Sequence, residues 1–179
     1  MGKLLLVVDM QNDFITGALG TPEAVSIVPK VCRKVSQHLE QGGLLAFTLD
    51  THGENYLETQ EGKFLPVPHC VRGTWGWQFC PELLAVVDPW RHTVYEKETF
   101  GSSALARDLA DGRYDGLDQV ELVGLCTDIC VVSNALLCKT FLPQVPVVVD
   151  GACCAGVTPQ AHREALHTMG QCQVQVHNG

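Results

Sequence analysis

Short apolar stretches rich in β-branched residues recur along the 179-residue chain, at Leu4–Val8, Leu44–Leu49, Thr93–Tyr95, Gln119–Val123, Val145–Val149 and Gln173–Val176. Each has the length of a strand, and most are apolar throughout rather than alternating, as in strands covered on both faces. Helical spacing fills several of the intervals. Pro29–Gln41 places Val31, Cys32, Val35 and Leu39 on one face, has proline where a first turn tolerates it, and stops at Gly42-Gly43. Ser103–Tyr114 and Thr127–Thr140 read as further helices, and Thr158-Pro159 opens a last one ending at Gly170. Alternation of this kind predicts βαβ crossovers, and therefore a single α/β domain over residues 1–179, three-layered α/β/α around a six-stranded, mainly parallel sheet.

In such sheets, sites form beyond the carboxyl ends of the strands. Polar residues stand at those ends: Asp9 after the first, Asp50 after the second, Lys97 just past the third, and the turn Gly124–Cys130 after the fourth. Residues 51–91 show little periodicity and are rich in Gly, Pro and aromatics, so they read as a functional excursion over the site.

Composition narrows the function. A hydrophobic content of 46% with 18% charged residues suits a folded globular chain, and no apolar run approaches the roughly 18 residues of a membrane span. The run Leu4–Val8 is too short for the core of a signal peptide, and nine cysteines, an odd number, do not make a disulfide framework in a chain of this size. A cytoplasmic protein with free thiols is the expectation. The net charge of −8, with no local run of Lys or Arg, argues against nucleic acid and anionic membrane as partners and for small molecules. A homo-oligomer is left open.

Candidate chemistry concentrates at Gly124-Leu125-Cys126-Thr127-Asp128-Ile129-Cys130-Val131, where a strand turns into a helix. A cysteine in a first helical turn feels unpaired N–H groups and the positive end of the dipole, which favour thiolate. Cys130 is the candidate nucleophile, although a small buried core residue would look the same. Asp9 has a rival role as a cap of the following turn, shared with Asn12 and Asp13, and Lys97 would pass alone for a solvated charge beside Glu96 or Glu98. A second constellation is Asp50-Thr51-His52, then Glu61, then Pro68-His69-Cys70-Val71-Arg72-Gly73-Thr74. A carboxylate with imidazoles suits zinc, iron or manganese, and the Asp-x-His spacing lets both side chains reach one ion.

Taken together, Asp-x-x-x-Asp at the first strand, a lysine after a middle strand and Gly-x-x-Thr-Asp-x-Cys-Val at a strand-to-helix turn resemble the nicotinamidase and isochorismatase-like cysteine hydrolase family, from Leu4 to about Gly170. The resemblance implies that family's fold and a triad of Asp9, Lys97 and Cys130. It also implies a cis peptide between Leu125 and Cys126, and an oxyanion hole from the N–H groups of Cys126 and Cys130. By resemblance to the nicotinamidase branch, Asp50, His52 and His69 bind one divalent metal ion, zinc first with iron or manganese as alternatives. Glu61 resembles a fourth ligand, with Glu58 as its rival because the spacing differs by one residue. Phe14 and Phe100 match the aromatic positions around the substrate ring, and Leu125 is grouped with them as a substrate contact. The chain departs from the pattern at Pro66, where relatives often carry Trp or Phe. The function implied is hydrolysis of a small amide, nicotinamide, to nicotinic acid and ammonia through a cysteine thioester; a related amidohydrolase acting on an N-carbamoyl or ureido compound is the alternative.

Overall fold

The computed structural model describes residues 2–179. Six strands form one sheet in which every pairing is parallel: β1 (Gly2–Val8), β2 (Leu44–Asp50), β3 (Thr93–Lys97), β4 (Leu117–Leu125), β5 (Val147–Ala155) and β6 (Gln175–His177), in the spatial order β3-β2-β1-β4-β5-β6. The helices longer than one or two turns are α2 (Pro22–Glu40), α5 (Ser103–Ala110), α6 (Val132–Phe141) and α7 (Pro159–Gln171); α1 (Asn12–Ile15), α3 (Gln60–Phe64) and α4 (Pro81–Leu84) are short. The α/β architecture expected from the sequence is the one observed.

Alternation along β1 divides the interior into two cores. Leu4, Leu6 and Val8 pack with residues of α5, α6 and α7, while Leu5 and Val7 pack with Ile27, Val31 and Val35 of α2 and Leu83 of α4. The sheet is therefore dry on both faces, which is why its strands lack polar alternation.

Several boundaries differ from the sequence reading, each for a local reason. α2 begins at Pro22 rather than Pro29, because Thr21 accepts a hydrogen bond from Ala24 N (3.0 Å) and Pro22 occupies the first-turn position, leaving Pro29 inside the helix. α5 stops at Ala110, four residues before Tyr114, whose ring is buried and whose hydroxyl meets that of Tyr95 at 2.8 Å. The stretch expected as one helix from Thr127 opens with a wide turn, in which Val131 N reaches back five residues to Cys126 O (3.0 Å), before α6 proper. Lys97 and Asp50 end their strands rather than follow them, and the excursion contains α3 and α4.

β1 and β4 lie side by side at the centre, and the connections leaving them run to opposite sides of the sheet. That is the topological switch point of an open α/β sheet, where a crevice opens beyond the carboxyl ends. Gly124 makes the approach possible: at φ +120°, a Cβ there would stand 2.1 Å from Val8 O.

Candidate active site

Asp9, Lys97 and Cys130 meet in this crevice. Asp9 follows β1 with φ 46°, a left-handed conformation that aspartate tolerates, and its side chain is wholly buried. Thr48 Oγ1 donates to Asp9 Oδ1 at 2.6 Å, and Lys97 Nζ lies 2.7 Å from Asp9 Oδ2. Among the described residues that oxygen is the one buried side-chain atom lacking a well-directed hydrogen bond, so it retains capacity to take a proton. Lys97 Nζ also lies 3.0 Å from Asp50 Oδ1 and donates to Cys130 Sγ at 3.3 Å.

Burial works against every charge in this group. Desolvation raises the Cys130 thiol well above its ordinary range, and the neighbouring Asp9 carboxylate outweighs the opposing pull of Lys97. Burial and the Asp9 carboxylate thus oppose the pull of the helix start and of Lys97 toward thiolate. Burial likewise raises Asp9, partly offset by Lys97. Lys97 is the fixed charge; burial alone would lower it, but Asp9, Cys130 and Asp50 together hold it protonated.

Asp50 joins this cluster to a second. Its Oδ1 faces Lys97, while its Oδ2 lies 3.0 Å from His52 Nε2 and 3.6 Å from His69 Nε2. His69 is oriented by its Nδ1, 2.8 Å from Val67 O, so that Nε2 faces the carboxylate. Donor atoms of Asp50, His52 and His69 all lie within 4.8 Å of one another, and all three residues are buried. Despite burial, contacts with His52 and His69 keep Asp50 well below the usual carboxylate range. Buried carboxylate and imidazole donors converging in this way fit a divalent metal ion. Glu61 Oε1 lies 3.8 Å from His52 Nε2 and 3.7 Å from His69 Nε2, whereas Glu58 is exposed and does not line the crevice.

Both clusters open into one cavity of about 950 Å³, whose wall includes Cys130, Cys126, Phe14 and Phe100. Leu125 is not part of that wall. Its side chain is buried in the core on the α2 side of the sheet, and its peptide with Cys126 is cis. The Cys126 thiol is itself raised to about 12 by burial and then by Asp128.

Three supporting residues escaped the sequence reading, and a fourth, Asp13, gains a further contact. Gln11, fully buried, brackets Asp50 by accepting from its N and donating to its O, both at 2.8 Å, and donates also to Trp77 O. Asn134 donates to Cys130 O (2.8 Å) and Phe100 O (3.2 Å), joining the wall carrying Phe100 to the helix after the nucleophile candidate. Tyr56 packs edge-on against His52 and His69 with ring centroids 4.8 and 5.0 Å away. Asp13, read as a rival cap, accepts from Ala18 N through Oδ1 (3.2 Å) and from Cys70 N through Oδ2 (2.8 Å) beside His69, and Gly76 leaves room for its carboxylate. Polar residues directly after an apolar strand were the available signal for Gln11 and Asp13.

A family model described as the isochorismatase domain matches residues 3–178. A nicotinamidase/pyrazinamidase of Mycobacterium tuberculosis is 28% identical over 149 residues, covering 74% of this chain and 76% of its own. The crystal structure of a pyrazinamidase of Pyrococcus horikoshii in complex with zinc superimposes with a TM-score of 0.81 at 29% identity, covering 98% of each chain. That of a nicotinamidase/pyrazinamidase from Bacillus subtilis gives 0.84 at 27% identity, over 99% of this chain and 100% of the other.

Proposed function

The chain belongs to the isochorismatase family of hydrolases, and on that premise we propose that it is a nicotinamidase, converting nicotinamide to nicotinic acid and ammonia through a thioester on Cys130. One observation carries the reading: Asp50 faces the lysine of the nucleophile cluster with one oxygen and the two imidazoles with the other, on the wall of a single cavity. A substrate that needs both a nucleophile and a metal-held nitrogen fits this division. The zinc-bound pyrazinamidase and the nicotinamidase relatives support it.

In the mechanism, Asp9 takes the Cys130 proton as the sulfur attacks the carboxamide carbon. The N–H groups of Cys126 and Cys130 stabilise the oxyanion, and collapse of the adduct expels ammonia with the proton returned by Asp9. Asp9 next deprotonates a water that attacks the thioester, releasing the acid and restoring the thiol. Lys97 keeps its charge throughout, offsetting the negative charge that passes between Asp9 and Cys130. Asp50, His52 and His69, with Glu61 beside the imidazoles, would hold a zinc ion, which supplies a Lewis-acid grip on the ring nitrogen. Phe14, whose ring centroid lies 5.6 Å from that of His69, and Phe100 border the space where the ring would lie.

The ionisable wall of the cavity argues against a carbamoyl amino acid. Its acids are Asp50, Glu61 and Glu98, and no Lys or Arg lines it among the described residues, so away from the metal set a substrate carboxylate would meet acids and no cationic Lys or Arg side chain. Ammonia release from nicotinamide and from N-carbamoylsarcosine, measured with metal-loaded protein, separates the two. Turnover of nicotinamide alone is expected; turnover of the carbamoyl compound alone would overturn the reading.

A further inference from the structure

The cavity is larger than a single-ring amide needs and changes character from end to end. Its volume, about 950 Å³, falls at the top of the roughly 300–1,000 Å³ range of pockets that hold drug-sized ligands. At the closed end Asp50, His52, His69 and Cys130 are all buried. At the mouth stand Phe64, 83% exposed, Leu65, 38% exposed, and Phe100, 46% exposed. Apolar side chains left in water beside a reaction site, with acids as the remaining charged groups on the wall, describe a surface suited to a neutral, apolar substituent.

The chemistry of the ring says where that substituent would sit. If the metal set holds the pyridine nitrogen and Cys130 meets the carboxamide at the 3-position, the 2-position lies between the two anchors and the 5-position lies opposite. With both anchors at the buried end, the 5-position faces the mouth. We propose that the site accepts neutral heteroaromatic carboxamides extended at this position by an apolar group, which packs on Phe64 and Leu65, and that it rejects anionic extensions at the same place. The proposal rests on the nicotinamidase reading and adds its substrate class.

The test uses zinc-loaded protein and three amides: nicotinamide, 5-phenylnicotinamide and 5-carboxynicotinamide. For wild type, kcat/KM for the phenyl compound should equal or exceed that for nicotinamide by up to about thirtyfold, from the apolar area removed from water, and the carboxy compound should fall well below both. Calorimetry on the Cys130→Ala protein should show the same order in Kd without turnover. Phe64→Ala should lower the ratio of phenyl compound to nicotinamide by about three- to tenfold. Turnover of nicotinamide without turnover of the phenyl compound would overturn the proposal and leave the nicotinamidase reading standing. Hydrolysis of neither would overturn both, and a ratio unmoved by Phe64→Ala would remove the packing surface on which the proposal depends.

Discussion

The two clusters of the site are built in opposite ways. Asp9, Asp50 and Lys97 stand at or just after the ends of adjacent strands, and Cys130 on the turn after β4, so the sheet itself fixes their spacing. His69 and Glu61 instead sit on the excursion between β2 and β3, which joins no ladder of the sheet. What holds the excursion is the segment just after β1. Asn12 N donates to Gln78 O (3.0 Å), Asn12 Nδ2 to Trp75 O (2.8 Å), Asp13 N to Gly76 O (3.0 Å), and Cys80 N to Met10 O (2.9 Å). One short stretch of sequence thus supplies the candidate base and, in the residues that follow, fastens the loop bearing a metal-ligand candidate. The candidate nucleophile and base thus stand beside strand ends of the sheet, while two of the metal-ligand candidates stand on a long connection.

The difference is sharpest under substitution. Cys130→Ala or Asp9→Asn should lower kcat by about ten-thousandfold, because no other group nearby replaces either role, while thermal unfolding and metal content stay near wild type. Steady-state kinetics with elemental analysis checks both. His52→Ala should act on the other half: stoichiometric metal is lost, and KM rises by about 10–100-fold with a smaller change in kcat. Equal losses in kcat for the two classes of variant would dissolve the distinction between the clusters.

A pH profile separates them further. Asp9 must be ionised to act as base, and its proton is released at higher pH than that of an ordinary carboxylate because burial raises it. The acid limb of kcat/KM should therefore lie above the usual aspartate range and move in the Asp9→Glu protein. Lys97, held protonated, should cause no loss of activity at mildly alkaline pH. An acid limb at the ordinary carboxylate value would contradict the assignment of Asp9.

Much of the first cluster was legible in the sequence, since a strand followed by an acid or lysine is a local pattern and apolar runs mark the strands. The excursion was less so. His69 reaches His52 through a parallel bridge between His52 and Val71 and through Asp13, contacts that join residues far apart in sequence and leave no periodic trace. Helix α2 was misplaced because two prolines each satisfied the same start rule, and the burial that opposes a thiolate at Cys130 comes from neighbours brought together from distant parts of the chain.

The smallest effect is expected away from both clusters. Lys34 lies 2.5 Å from Glu121 and also pairs with the buried Asp150. Against the effect of burial, Lys34 and Asn178 lower Asp150, so its contribution to stability is present above the unfolded carboxylate value and disappears as pH falls through the lower folded one. Lys34→Ala should cost about 1–2 kcal/mol at neutral pH, with the difference from wild type fading in acid and kcat/KM unchanged. Chemical denaturation at two pH values measures it.

The central claim, that Cys130 carries the acyl group of nicotinamide, is tested most directly by mixing metal-loaded protein with nicotinamide, quenching in acid and recording intact mass. The account predicts a species heavier by one nicotinoyl group, mapped to the peptide containing Cys130, formed while ammonia is released and absent from Cys130→Ala. Ammonia release without any such adduct, or an adduct on another residue, would contradict it.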